Sequence, residues 1–125
     1  MRKLTLLVLL ALILPVMAQE DKSEVIDATN LEALRAKDGV EATVEGLVMD
    51  IGTTKEATMT FINIGMPKKQ GFVAVVFQKD YAAFPEGFDK FRNQKVRVKG
   101  MIKLYRGETP QIVLSSPDQI TIAPL

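Results

Sequence analysis

The sequence predicts an all-β domain with one minor helix, folded as a small closed barrel whose long strands must coil. Two segments lead there. Val44-Glu45-Gly46-Leu47-Val48 and Val98-Lys99-Gly100-Met101-Ile102, 54 residues apart, are each a strand-forming run interrupted by one glycine. A glycine inside a strand weakens it and marks a bulge or a sharp bend. The third observation is alternation. Val96, Val98, Gly100, Ile102 and Leu104 share one parity, and Lys95, Arg97, Lys99, Met101, Lys103 and Tyr105 share the other, the period of a half-buried strand.

The elements follow in order. Arg2 and Lys3 precede an apolar run from Leu4 to Leu14, then Pro15 and Val16-Met17-Ala18. That is the layout of a secretory signal peptide cut after Ala18. The alternative is a membrane anchor, but the run is shorter than the roughly 20 residues a span needs. Cleavage leaves 107 residues, one domain with one core and no membrane span, in a secreted or periplasmic location. Residues 19–39 read as a polar tail followed by a short helix over Ala28–Lys37. Thr29 or Asn30 caps its start and Gly39 ends it. Residues 40–125 hold the barrel.

Val40–Ile51 is the first long strand, with Val40, Ala42, Val44, Gly46 and Val48 inward. After Gly46 the alternation degrades into Leu47-Val48-Met49, as a bulge at Gly46 would cause. Gly52-Thr53-Thr54-Lys55 is a turn and Ala57–Ile64 the second strand. Gly65–Gly71 is a loop carrying Lys68 and Lys69. Phe72–Gln78 is the third strand, apolar on both faces. It is therefore central and covered, or it carries an exposed apolar patch. Asp80–Asn93 is a broken helical connection in which Phe84, Phe88 and Phe91 point one way. Lys95–Arg106 is the fourth strand. Arg106-Gly107-Glu108-Thr109 turns it into the fifth, Pro110–Leu114, and Gln119–Ile122 makes a last short strand.

A helical connection between strands three and four of a five-stranded coiled barrel is the OB-fold layout, a Greek-key barrel. The chain resembles small secreted OB-fold proteins of the tRNA-anticodon-binding-like, nucleic-acid-binding group. The residues that carry this are Val44–Val48, Thr60–Gly65, Val73–Phe77, Lys95–Ile102 and Tyr105–Ile112, within about residues 40–123.

Composition excludes much chemistry. The chain has no cysteine and no histidine, which removes thiolate and imidazole metal sites, cysteine nucleophiles and the Ser-His-Asp triad. The carboxylates are dispersed. Asp50 stands at a strand end and Ser115-Ser116 before Pro117; both read as turn formers rather than catalytic groups. No cofactor and no metal are expected. Charge is uneven: residues 19–65 hold 4 basic and 10 acidic side chains, whereas residues 66–125 hold 10 basic and 5 acidic.

The resemblance implies a non-enzymatic binding module. Such barrels take single strands on the face of strands two and three and on the loops between strands one and two and strands four and five. Cations meet phosphates there and flat rings meet bases. The candidates on those elements are Lys55, Phe61, Lys68, Lys69, Phe72, Lys103, Tyr105, Arg106 and Gln111. Each has a plainer reading: solvated loop charge for the lysines, core for Phe61 and Phe72, hairpin cover for Tyr105. The expected partner is single-stranded nucleic acid or another polyanion. The alternative is a protein of the cell envelope, held in an apolar groove around Phe72 and Val76 or on an open strand edge.

Overall fold

The computed structural model describes residues 24–124; the expected leader and polar tail, residues 1–23, lie outside them. The described chain is mostly β: β1 (Val25–Asp27), α1 (Leu31–Arg35), β2 (Glu41–Thr53), β3 (Met59–Ile64), β4 (Phe72–Phe77), β5 (Lys95–Met101), β6 (Lys103–Tyr105), β7 (Thr109–Val113) and β8 (Ile120–Ile122). They form one open mixed sheet in the order β6-β7-β4-β3-β2-β5-β8, with β1 added parallel to β2. Short 3₁₀ turns at Gln78–Ala83 and Asp89–Phe91 connect β4 to β5, and one at Pro117–Gln119 precedes β8. No helix among the described residues is long and apolar enough to cross a membrane.

β2 joins the two halves of the sheet. Its first part pairs with β5 without a break, from Glu41 opposite Met101 to Leu47 opposite Lys95. Its second part pairs with β3, from Val48 opposite Ile64 to Thr53 opposite Thr60, and the register shifts between Val48 and Asp50. The irregularity is therefore at Met49, not at Gly46 as the alternation suggested. Gly46 meets a different need, because a Cβ there would stand 2.6 Å from Ala28 Cβ and 2.8 Å from Ile64 Cγ2. Gly100 is the counterpart on β5, where a Cβ would stand 2.6 Å from Ile112 Cγ2. Both glycines let elements approach more closely than any side chain allows.

The inward parity of the fourth strand holds, with Val96, Val98 and Ile102 fully buried. That strand is nevertheless two, β5 and β6, separated by Ile102. β4 lies between β3 and β7, and Phe72 to Val76 are all buried. Leu34 of α1 and Phe84 and Phe91 of the connection close on the same core. Asn30 caps α1 by accepting from Ala33 N at 3.2 Å. The helix is shorter than expected because Ala28 and Thr29 instead leave β1 in a turn, where the Asp27 carboxylate accepts from Thr29 N at 2.8 Å. β1 itself was not legible in the sequence, since a three-residue strand carries too little pattern.

Gly46→Ala and Gly100→Ala are expected to destabilise the domain by about 1–3 kcal/mol each through overpacking. Gly52→Ala, with nothing within 4 Å of its Cβ position, should be near neutral. Thermal unfolding of the three variants checks this. Equal melting temperatures would show that the close approaches are not rigid.

Candidate functional site

Residues opposite one another in register share a face of a sheet. Met59, Phe61 and Asn63 of β3 stand opposite Phe77, Val75 and Val73 of β4. Val73 and Val75 stand beside Gln111 and Val113 of β7, and Gln111 and Thr109 stand opposite Lys103 and Tyr105 of β6. These side chains form the outer face of this half-sheet; Ile62, Ala74 and Ile112 point the other way, into the core. Val73 and Val75 are buried even on the outer face, flanked in register by Asn63, Phe61, Gln111 and Val113. A groove of about 430 Å³ crosses this face, lined by Met59, Phe61 and Phe77 on one side and by Tyr105, Thr109 and Gln111 on the other, with Lys69 above it.

Two rings on this face each carry a cation. Lys69 Nζ lies 3.9 Å from the centroid of Phe61, and the Arg106 guanidinium carbon lies 5.2 Å from that of Tyr105. Such contacts stabilise by about 0.5–1 kcal/mol at exposed sites. Both cations come from tight turns. Lys68 and Lys69 have φ of +54° and +61°, and Gln70 N donates to Pro67 O at 3.1 Å. Arg106 and Gly107 have φ of +55° and +75°, and Glu108 N donates to Tyr105 O at 3.1 Å. Two left-handed central residues closed by that bond are the pattern of a type I′ turn, which favours Asn, Asp and Gly. A left-handed φ costs an ordinary residue roughly 1–2 kcal/mol, so each turn needs outside support. Asp50 Oδ2 accepts from Lys68 N at 3.2 Å and Asn63 Oδ1 from Lys69 N at 2.9 Å. The second turn is braced from the helix side. Arg35 Nε donates to Glu108 O at 2.8 Å, and Asp38 Oδ1 accepts from Leu104 N at 3.2 Å.

The structure brings some candidates together and not others. Phe61, Lys69, Tyr105 and Gln111 line the groove. Arg106 sits on Tyr105, and Lys103 shares the face through its register with Gln111. Lys68 occupies the turn above but does not line the groove. Lys55 is exposed in the turn between β2 and β3 and does not line the groove. Phe72 is a correction: it pairs with Ile64 on the inner face and is fully buried, so it belongs to the core and reaches no ligand on this face. Val76 is likewise fully buried, so no apolar groove forms around that pair.

Met59, Phe77 and Thr109 were not foreseen in the groove. Phe77 shares the parity of Val73 and Val75, which was the available signal. The electrostatics favour the face. Among the described residues the ion pairs are Lys79–Asp80, Lys90–Glu86, Arg92–Asp89 and Arg97–Glu45. Lys69, Lys103 and Arg106 join none of them, and no acidic residue lines the groove.

No protein family and no curated protein matches the chain. Solved structures do. A putative aspartyl-tRNA synthetase from Leishmania major Friedlin aligns at 9% identity and a TM-score of 0.54 over 84% of this chain and 21% of its own. The aspartyl-tRNA synthetase from Entamoeba histolytica aligns at 15% identity and 0.51, over 85% and 23%. OBody AM1L10, solved bound to hen egg-white lysozyme, aligns at 16% and 0.54, over 85% of this chain and 98% of its own. The chain thus spans about a fifth of the length of the synthetases it resembles. At these identities the likeness is one of fold, and it supports the OB-fold group.

Opposite placements of two aromatic residues give opposite expectations for stability. Phe72→Ala should cost about 3–5 kcal/mol, whereas Tyr105→Ala, at a position 52% exposed where the contact with Arg106 is lost, should cost no more than about 1 kcal/mol. Urea unfolding of both variants measures the contrast, and a comparable loss in the two would mean that the faces are wrongly assigned.

Proposed function

We propose that the chain is an exported, non-catalytic OB-fold binding module that takes single-stranded nucleic acid or another polyanion on the face of β3, β4, β7 and β6. The observation that carries this is the pair of rings, Phe61 and Tyr105, each with an unpaired cation against it, on either side of a groove with no acidic lining. Rings offer a stacking surface to any base, and cations neutralise phosphates without reading sequence. The solved relatives named as aspartyl-tRNA synthetases are consistent with that ligand class. The five-stranded Greek-key description fits the strand order when β5 and β6 are read as one strand broken at Ile102. That strand then pairs with β2 at one end and β7 at the other. In such a barrel the ligand face is that of strands two and three with the loop between strands four and five, here β3, β4 and the β6–β7 hairpin. Export rests on the leader-like residues 1–18, and mass analysis of the secreted protein should find Gln19 as its first residue.

A protein partner is the second reading. One observation favours it: β8 ends the hydrogen-bonded path and Ile122 is half-exposed there, an edge to which another strand can add. OBody AM1L10 itself holds a protein.

Fluorescence anisotropy with labelled single-stranded DNA and RNA, titrated with salt, separates the two readings. Polyanion binding predicts affinity that falls steeply with salt, with a slope about 0.7 shallower for each phosphate contact removed. Lys69→Ala and Arg106→Ala should each remove one. Tyr105→Ala should weaken binding by about 1–3 kcal/mol if a base stacks on the ring. No binding at low salt would overturn the polyanion reading and leave the β8 edge.

A further inference from the structure

We infer that Asp50 and Asn63 are positioning residues of this site. Together they hold the Lys68–Lys69 turn in a left-handed conformation that its own residues disfavour, and so fix Lys69 against Phe61 at the groove. The inference rests on the polyanion reading and concerns how that site is built.

The chain of causes starts in β2. The register shift between Val48 and Asp50 brings Asp50 opposite Asn63 on the outer face, the re-aiming that a bulge produces. Asn63 Nδ2 donates to Asp50 Oδ1, which ties the two side chains into one unit. Each then has one oxygen left, and each spends it on the turn: Asp50 Oδ2 on Lys68 N and Asn63 Oδ1 on Lys69 N. Asn63 is 3% exposed, so its amide is held in a fixed setting. Both backbone donors of the turn are consumed. An anion therefore finds no free N–H at Lys68 or Lys69, and any grip there falls to the two ammonium groups.

Two features set this apart from ordinary loop stabilisation. First, Asn-Gly would satisfy a type I′ turn with far less strain than Lys-Lys, so the lysines are not explained by the turn. Second, Asp50 is an acid beside a surface proposed to bind anions, yet it joins no ion pair among the described residues. Its carboxylate faces backbone and amide donors instead. By charge alone, removing Asp50 should strengthen polyanion binding. By position, removing it should weaken binding, because the turn loses its support. The two expectations have opposite signs.

The test measures binding of a labelled oligothymidylate of about 12 nucleotides, within the site sizes of OB folds, to the wild-type protein and to Asp50→Asn, Asp50→Ala and Lys68→Asn/Lys69→Gly. Melting temperatures are recorded alongside. Asp50→Asn is close to isosteric and guards against loss of folding in Asp50→Ala. The expected result is about tenfold weaker binding in the Asp50 variants, the loss of one charge-assisted contact, with a shallower salt slope. The Lys68→Asn/Lys69→Gly protein should bind more weakly while melting roughly 4–8 °C higher. Folded Asp50 variants that bind as tightly as wild type, or more tightly, would overturn the positioning role and leave the polyanion reading intact. A wild-type protein that does not bind the oligothymidylate would overturn that reading, and this inference with it.

Discussion

Residues 46–49 of β2 are the hinge on which the sheet turns. One strand of 13 residues must serve β5 with its first half and β3 with its second. Gly46 leaves room for Ala28 and Ile64 to close on the strand from the core side. Three residues later the extra residue at Met49 resets the pairing. The first device gives the core its depth and the second decides which side chains the outer face receives. Asp50 reaches that face only because of the reset, and the turn carrying Lys68 and Lys69 is anchored to Asp50 and Asn63. Fold and candidate site thus share one cause.

Charge is divided along the same line. The acidic first part of the sequence and its basic second part meet on the half-sheet of β2 and β5, where Arg97 faces Glu45 at 3.5 Å. Among the described residues, Lys69, Lys103 and Arg106 of the other half join no ion pair. Lys69 and Arg106 rest on rings, and Lys103 shares their face. A nearly neutral domain thereby presents a local cationic surface without a large net charge. Such a surface acts at short range, because an exposed charge is screened within about 8 Å at physiological salt.

Much of this was legible in the sequence where periodicity was strong. Lys95–Tyr105 alternates cleanly, and its buried residues, Val96, Val98 and Ile102, are all of the inward parity. Lys69, Tyr105, Arg106 and Gln111 could be assigned to one face because their elements, not their neighbours, marked them out. Phe72 was misplaced for the converse reason: a strand apolar on both sides carries no alternation to say which face a given residue takes. The bulge was put at Gly46 because a glycine needed for close packing and an inserted residue at Met49 disturb alternation in the same way. The Asp50–Asn63 pair lies 13 positions apart in sequence, and only the strand register reveals it.

The most direct measurement is an NMR titration of the isotopically labelled protein with single-stranded oligonucleotide, following every amide. The structure predicts that the largest shifts fall on Phe61, Lys69, Phe77, Tyr105, Arg106 and Gln111, with β5 and β8 little changed. Shifts concentrated on β8, or none at saturating oligonucleotide, would contradict a polyanion site on this face.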